Sequence, residues 1–387
     1  MNKKKLIAVL TTITIVGTLL AGCASTSSSS STKSDDSKSP TTTDSKPKIK
    51  IGLSTDEGGL NDKSFNQAAD TGIKKAQTEL GVDYKPLESA KKEDYEPNLK
   101  ALLAYGSEIV FGVGYQMEAA MENIAKQNPD KKFALIDSGA FEDPKANPPV
   151  QIKNVESITF KENEGSYLVG LIAGKMTKSH KIGFIGGVDG DLIQKFETGF
   201  AAGVKSIDPA AAKGLIDRTT VKYAASFGDT VKGYELATAL INDGCDVIYH
   251  AAGGVGMGMF KAVKEANDKG KKVWAIGVDM DQATNILDKS GKPIYDTIIL
   301  TSMMKRVDTG TYTVVKDVIA NQFKGGTTLA LGLKEDGVGI APSSDKNTPK
   351  DVLDLVAKYS DAIKSGKVIV PVKRSEVATF VAPTDIK

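Results

Sequence analysis

Short apolar runs alternate with longer amphipathic stretches along most of the chain, starting near residue 48. The short runs predict strands and the longer stretches predict helices. The first series predicts strands at 49–53, 82–86, 108–113, 132–137 and 155–160 and helices at 64–80, 95–105 and 117–128. Each predicted strand is almost continuously apolar, which is typical of a parallel sheet with helices on both faces.

The same alternation restarts after residue 180. It predicts strands at 181–186, 215–223, 246–250 and 272–278 and helices at 192–206, 229–242 and 255–268. Two such series favour an α/β fold with two doubly wound, Rossmann-like lobes over one very wide sheet. Too few elements remain for a third domain: strands at 295–302 and 328–333 and helices at 304–321 and 349–364.

These remaining elements are expected to complete both lobes by crossing between them, which would form a multi-strand hinge below a cleft. The first lobe then consists of residues 48–157 and about 303–326, and the second lobe of about 158–302 and 327–387. Ligands of open parallel sheets bind at the carboxyl ends of the strands. We therefore expect a small ligand to be held between the two lobes.

Residues 1–22 have the pattern of an export signal. A lysine-rich start precedes the apolar residues 6–20, a stretch shorter than the roughly 20 residues needed to span a bilayer. The stretch leads through Leu-Ala-Gly to Cys23, which resembles the lipobox of bacterial lipoproteins. This resemblance implies cleavage before Cys23 and attachment of a lipid to it, with an ordinary signal peptide and a chance cysteine as the alternative. Residues 23–47, rich in Ser and Thr, predict a disordered tether.

Charge and cysteine content exclude some classes of function. The 387 residues include 50 Lys and Arg against 48 Asp and Glu, and this near-neutral balance indicates no basic surface for nucleic acid. Cys245 is the only cysteine besides Cys23, so no disulfide is expected within the folded body. Cys245 begins an apolar run and is predicted to pack as a small buried hydrophobe.

The chain lacks the usual sequence motifs of catalysis and metal binding. Its two histidines, His180 and His250, have no metal-ligand spacing, and no Gly-x-Ser-x-Gly motif is present. His250 ends an apolar run and either packs there or faces the cleft. Residues 170–176 resemble a phosphate-binding loop superficially, but Met176 replaces the required Ser or Thr, so we predict the end of a helix. We expect a protein that is not an enzyme and that needs no cofactor.

A polar loop after the first predicted strand indicates a ligand site. It contains Asp56 and Asn66, and either Asp62 or Ser64 could cap the helix that follows. Phe65, at the start of that helix, is either a core residue or a platform for the ligand. The polar residues on both sides of Phe65 favour the cleft.

Several motifs are spread along the chain. They are Asp56-x-Gly58, Asp62-x-Ser64-Phe65-Asn66, Gly186-Gly187 leading to Phe196, Gly277-Val278-Asp279 and Ser302-Met303-Met304-Lys305. Together they resemble the basic membrane lipoproteins, a family that includes purine nucleoside receptors serving ABC transporters. The likeness extends from about residue 48 to 381 and implies a fold like that of type I periplasmic binding proteins. This likeness, together with the positions of residues at or just after the ends of predicted strands, predicts nine ligand-binding residues. They are Asp56, Phe65, Asn66, Tyr115, Asp137, Phe196, Gly254, Asp279 and Lys305.

The resemblance implies that the base of a nucleoside lies between Phe65 and Phe196, one from each lobe. Stacking of a base on an aromatic side chain contributes on the order of 1–3 kcal/mol. Phe196 and Phe200 are also spaced as a buried helix stripe, which is the alternative for this pair.

The other predicted residues supply polar contacts. Asp279 follows a strand, where its carboxylate either accepts hydrogen bonds from two ribose hydroxyls or caps a helix. By resemblance, Lys305 reaches the ligand and Asp137 contacts the base. Tyr115 is expected to line the cleft and Gly254 to offer its backbone to the sugar.

The expected function is that of an extracytoplasmic substrate-binding lipoprotein of an ABC importer, held on the cell membrane by a lipid on Cys23. We expect a monomer that binds a nucleoside and docks on the transporter permease. The resemblance implies that this nucleoside is a purine nucleoside, such as inosine, guanosine or adenosine. Alternatives are the same fold binding a sugar, a signalling molecule or an amino acid, and a surface adhesin or structural lipoprotein without a transport role. The export signal excludes a cytoplasmic repressor, and the acids and metal ligands of a nucleoside hydrolase are missing.

Overall fold

The computed structural model describes residues 48–383 and Ile386, and these residues form two lobes, each built on a six-stranded sheet. The first lobe opens with β1 (Lys50–Ser54), α1 (Phe65–Leu80), β2 (Asp83–Leu87), α2 (Tyr95–Ala104), β3 (Ile109–Val113), α3 (Glu118–Gln127), β4 (Lys132–Ile136), the small hairpin β5 (Phe141–Asp143) and β6 (Val150–Gln151), and β7 (Val155–Phe160). The second lobe follows with α4 (Glu162–Met176), β8 (Ile182–Gly186), α5 (Asp191–Ile207), α6 (Pro209–Ile216), β9 (Val221–Tyr223), α7 (Thr230–Asn242), β10 (Val247–Ala251), α8 (Val255–Asp268), β11 (Trp274–Asp279), α9 (Gln282–Asn285) and β12 (Ile299–Lys305). The chain returns to the first lobe for α10 (Val307–Ile319) and β13 (Thr327–Leu331) and ends in the second lobe with β14 (Val338–Ile340), α11 (Lys350–Lys364) and α12 (Arg374–Val377).

The two sheets have matching strand orders, β13-β7-β4-β3-β1-β2 and β14-β12-β11-β10-β8-β9. Neighbouring strands are parallel in both sheets, except that β14 runs antiparallel to β12. The prediction of two doubly wound α/β lobes is confirmed. Because the orders match, β4 in the first lobe corresponds to β11 in the second, and their carboxyl ends face the same cleft.

Within residues 48–383 the chain crosses between the lobes three times, from β7 to α4, from β12 to α10 and from β13 to β14. The predicted lobe boundaries are displaced at all three crossings. At the first, β7 continues to Phe160 in the first sheet, three residues beyond the predicted boundary at 157. Strand β13 pairs with β7 in the first sheet, although residues from 327 were assigned to the second lobe. Residues 303–305 continue β12 in the second sheet, although they were assigned to the first lobe. An apolar pattern identifies a strand, but it does not identify the sheet that the strand joins.

The strand predicted at 215–223 is wrong over residues 215–220. Helix α6 occupies Pro209–Ile216, and only Val221–Tyr223 form a strand. The Asp208 side chain accepts a hydrogen bond from the Ala211 N–H at 3.0 Å, and a proline at the first helical position favours the start of a helix. Leu215 is buried on this helix, and Ile216 is partly buried against the same core.

Helices α4 and α5 pack closely through glycines. A Cβ atom on Gly203 would lie 2.1 Å from the Tyr167 carbonyl oxygen, and one on Gly170 would lie 2.4 Å from the Phe200 carbonyl oxygen. Residues 170–176 therefore belong to a tightly packed helix, as predicted, and not to a phosphate-binding loop. This packing places the start of α4 and one face of α5 at the cleft.

Candidate functional site

A cavity lies between the lobes at the carboxyl ends of their strands. It is partly open to solvent and is lined by residues of both lobes. Eight of the nine predicted residues line it: Asp56, Phe65, Asn66, Tyr115, Asp137, Phe196, Asp279 and Lys305. Gly254 does not line it, because the main chain turns at Gly253, with φ +55°, and Gly253 faces the cavity in its place.

The loop between β1 and α1 is held in shape by two carboxylates. Asp62 accepts hydrogen bonds from the N–H groups of Ser64, Asn66 and Gln67 at 2.9, 2.8 and 3.1 Å, so Asp62 caps the helix and Ser64 does not. Asp56 accepts a hydrogen bond from Asn66 Nδ2 at 2.7 Å. These bonds orient the first turn of α1 towards the cavity.

Two aspartates occupy equivalent positions at the ends of corresponding strands. Asp137 follows β4 and Asp279 ends β11, and both have left-handed backbone conformations, with φ +69° and +66°. The Ser64 hydroxyl donates a hydrogen bond across the cleft to Asp279 Oδ2. Asp279 thus contacts the opposite lobe and does not cap a helix, which removes one alternative considered for it.

Lys305 lies at the centre of a buried cluster of charges. Its Nζ is 2.5 Å from Asp137 Oδ2 and 3.2 Å from Glu162 Oε1, and all three side chains are almost fully buried. Burial alone would lower the pKa of Lys305, but Asp137 and Glu162 outweigh it and raise the pKa, so the ammonium group stays charged. Burial raises the pKa of Asp137 to about 7 against the opposing effect of Lys305. Burial also raises the pKa of Asp279.

Aromatic rings from both lobes complete the cavity. The ring centres of Phe65 and Phe196 lie 5.0 and 5.4 Å from Lys305 Nζ. Phe65 is half-buried and Phe196 is 3% exposed. Tyr115 meets Phe227 of the second lobe edge-on, with ring centres 6.3 Å apart. The cavity therefore combines apolar faces with a few charged groups, the usual composition of a small-molecule site.

Residues 48–374 match the family model of ABC transporter substrate-binding proteins described as PnrA-like. The chain belongs to this family. The family consists of solute-binding proteins and not of enzymes, and the predicted family resemblance is confirmed.

Relatives within the substrate-binding family span almost the whole chain. The CD4+ T-cell-stimulating antigen of Listeria monocytogenes is 38% identical over 96% of this chain and 100% of its own. The ABC transporter nucleoside-binding protein BmpA of Lactococcus lactis is 35% identical over 96% of this chain and 100% of its own. The crystal structure of an ABC transporter solute-binding protein from Aeropyrum pernix superposes with a TM-score of 0.71 at 28% identity, covering 86% of this chain and 96% of that chain.

Phe227, Asp62 and Glu162 lie at or beside this substrate-binding protein's cavity but are not among the nine predicted ligand-binding residues. Phe227 lines the cavity, and a Cβ on Gly187 would lie 2.2 Å from its ring, so the Gly186-Gly187 motif makes room for it. Asp62 also lines the cavity, and Glu162 pairs with Lys305. Phe227 follows β9 at the same sheet edge as the predicted residues, a signal that could have identified it. Glu162 resembles an ordinary acidic residue in the first turn of a helix.

His250 packs inside the second lobe and does not line the cavity. It is fully buried, and burial lowers its pKa to about 4. Its Nε2 lies 2.9 Å from Gln282 Oε1. Of the two roles considered for His250, packing at a strand end is the one observed.

Among residues 48–383, no group of His, Cys, Asp and Glu side chains is arranged to hold a metal ion. None of the helices in the described part of the chain has the length and apolar character required to cross a bilayer. Cys23 lies outside the described residues. Cys245 is buried, and burial raises the pKa of its thiol to about 12, as expected for a packing residue.

Proposed function

We propose that the chain is the lipid-anchored receptor of an ABC importer and that it binds purine nucleosides, such as inosine, guanosine or adenosine, between its lobes. The observation that carries the proposal is the pair of rings, Phe65 from the first lobe and Phe196 from the second, at one cavity and close to one ammonium group. A flat heterocyclic base can stack on such rings, at about 1–3 kcal/mol for each stacked base. The Lactococcus lactis relative is an ABC transporter nucleoside-binding protein, which supports the same ligand class.

Unpaired acceptors around the cavity support a ligand rich in hydrogen-bond donors. Asp137 Oδ1 and Asn66 Oδ1 are buried and have no hydrogen-bond partner among the described residues. Buried polar atoms are normally paired, so these oxygens favour a ligand that brings N–H or O–H groups. A purine nucleoside carries ribose hydroxyls and, on inosine and guanosine, a ring N–H. Asp279, at the same cavity, is a further acceptor for the ribose.

Calorimetry tests the ligand assignment. The full chain, purified in detergent, is titrated with inosine, guanosine, adenosine, cytidine and free ribose. We expect binding of the purine nucleosides and much weaker binding of ribose, since ribose cannot stack on the rings. Binding of a sugar or an amino acid without binding of any nucleoside would contradict the proposal.

The lipid anchor is proposed from the lipobox and is tested separately. Cells expressing the wild-type chain, Cys23→Ser or Cys245→Ser are labelled with radioactive palmitate and fractionated. We expect Cys23→Ser to lose both the label and its membrane association. Cys245→Ser changes the only other cysteine and should keep both. Label retained in Cys23→Ser would exclude the anchor.

The transport role is tested in the producing cell. Deletion of the gene should reduce uptake of radioactive inosine, and a plasmid copy of the wild-type gene should restore it. An adhesin or a structural lipoprotein predicts uptake that does not change on deletion.

A further inference from the structure

Gln282, the first residue of α9, belongs to the second lobe but contacts the main chain of the first. Its side-chain Nε2 donates a hydrogen bond to the carbonyl oxygen of Lys63 at 2.9 Å. Asn285 Nδ2 lies 3.5 Å from the same oxygen. Lys63 lies in the loop before α1, so this contact crosses the cleft. Gln282 is 1% exposed, and water therefore competes little for the bond.

The orientation of the Gln282 amide is determined by its two ends. Its Oε1 accepts a hydrogen bond from the Val278 N–H at 2.8 Å, while its Nε2 faces the Lys63 carbonyl oxygen. Reversing the amide would place an NH₂ group against an N–H and an oxygen against an oxygen. The main-chain N–H of Gln282 also donates to Ser302 Oγ at 3.1 Å, which fixes the start of α9 on β12.

A hydrogen bond from His250 favours the same orientation of the Gln282 amide. Its Nε2 lies 2.9 Å from Gln282 Oε1, and because that oxygen can only accept, Nε2 must carry the hydrogen. The ring is neutral at physiological pH, since burial lowers its pKa to about 4. A Cβ on Gly256 would lie 2.0 Å from this ring, so α8 packs directly against it and fixes its position.

The segment held by Gln282 carries residues of the cavity. Lys63 has a left-handed backbone with φ +59°, a conformation that costs free energy in a residue with a side chain. The next residue, Ser64, donates to Asp279, and the one after it is Phe65, whose ring lines the cavity. A displacement of the Lys63 carbonyl would therefore move Phe65.

We propose that Gln282 is a positioning residue of the cleft: its amide, oriented by His250 and Val278, holds the main chain at Lys63 where the structure has it and thereby sets the position of the Phe65 ring. Its relevance to nucleoside affinity rests on the proposed function, whereas the contact itself does not. Gln282 does not line the cavity and acts through the loop.

Hydrogen exchange tests this role. Gln282→Met removes the amide at nearly constant length, and Asn267→Leu is the matched control. Asn267 Nδ2 donates to the carbonyl oxygens of Val263 and Val273 at 2.9 and 2.7 Å, both inside the second lobe. In the ligand-free full chain, we expect amides of residues 60–67 to exchange about 3- to 10-fold faster in Gln282→Met than in wild type, from the usual net contribution of one hydrogen bond. Asn267→Leu should leave that segment unchanged.

Affinity and a second variant complete the test. Inosine affinity should fall by a similar factor in Gln282→Met, and His250→Leu, which removes the orienting N–H but keeps the Gln282 amide, should show a smaller change in the same loop. Unchanged exchange at 60–67 in Gln282→Met, or an equal change in Asn267→Leu, overturns the proposal. If wild type binds no nucleoside, the proposed function fails, and the exchange comparison in the ligand-free chain still decides the role of Gln282.

Discussion

The ammonium group of Lys305 lies 2.5 Å from the carboxylate of Asp137, although Lys305 ends β12 in one sheet and Asp137 follows β4 in the other. The pair therefore joins the lobes at the carboxyl ends of β12 and β4. Glu162 and Asp279 add two more carboxyl groups around the same ammonium group. One lysine thus compensates several buried acids, and its removal would leave them without a counter-charge.

Lys305→Met should be strongly destabilising. Removing one partner of a buried ion pair costs about 3–5 kcal/mol, because the remaining charge is buried without compensation. The control is Lys324→Met, which breaks the exposed pair with Asp317 and should cost at most about 1 kcal/mol. Urea unfolding of both variants measures the difference. Equal losses in the two variants would show that the Lys305 cluster contributes no more than a surface pair.

The stability of the ligand-free chain should depend on the protonation of Asp137. Its pKa is raised from 3.8 to about 7, so the folded state retains a proton that the unfolded state releases. The contribution of Asp137 is therefore fully present below about pH 4 and is lost as the pH rises towards 7, by no more than about 4 kcal/mol.

A comparison with Asp137→Asn isolates this effect. His250 acts in the opposite direction, because its pKa is lowered to about 4 and its contribution is lost as the pH falls from 6.5 towards 4. Both proteins contain His250, so the difference between their free energies of unfolding removes its contribution. We expect the wild type to lose stability relative to Asp137→Asn between pH 4 and 7. A constant difference over this range would contradict the raised pKa.

The fold could be predicted largely from the sequence, because strands buried between two layers of helices are continuous apolar runs. The exceptions have local causes. Residues 215–216 are apolar and precede a true strand, but the helix start at Asp208 and Pro209 determines their structure. Strand β13 was recognised, yet its pairing with β7 depends on where the chain crosses the cleft, and a local pattern does not contain that information.

The site could be predicted where it depends on strand ends. Asp137 and Asp279 follow apolar runs, and the carboxyl ends of parallel strands meet at one edge. Glu162 and Gln282 could not be found in this way, because each is a polar residue at the start of a helix, where such residues usually interact only with their own helix. Their partners, Lys305 and Lys63, are distant in sequence and meet them only after the lobes pack together.

Phe65→Ala should weaken binding of inosine with little loss of stability. The ring is half-buried and lines the cavity, so its removal should raise the Kd about 5- to 100-fold through lost stacking. Phe200→Ala is the control, since this ring is fully buried in the core of the second lobe. It should cost about 3–5 kcal/mol in the free energy of unfolding and leave the Kd nearly unchanged. Calorimetry and urea unfolding measure the two effects, and an unchanged Kd in Phe65→Ala would exclude stacking on this ring.

A nucleoside 5′-monophosphate should bind much more weakly than the nucleoside. Four carboxyl groups and one ammonium group line the cavity: Asp56, Asp62, Asp137, Asp279 and Lys305. A phosphate adds about 1.5–2 negative charges at neutral pH and would face these acids. We expect inosine 5′-monophosphate to compete with inosine at least about 100-fold less well at pH 8 and low salt, with a smaller gap at high salt. Equal competition would mean that the acids do not face the ligand.

Gly277→Ala tests the space that the Gly277-Val278-Asp279 motif leaves for Gln282. A Cβ on Gly277 would lie 2.5 Å from Ser302 Oγ and 2.6 Å from Gln282 Oε1, so both side chains would have to move. Overpacking of this kind costs about 1–3 kcal/mol, and displacement of Gln282 should also weaken nucleoside binding.

Gly339→Ala is the matched control, because Gly339 lies in strand β14 with open space around the Cβ position. Alanine is tolerated there at no cost or with a small gain. Urea unfolding and calorimetry on both variants measure the two effects. If Gly277→Ala behaves like Gly339→Ala, the glycine is not needed to seat Gln282, and the motif has another cause.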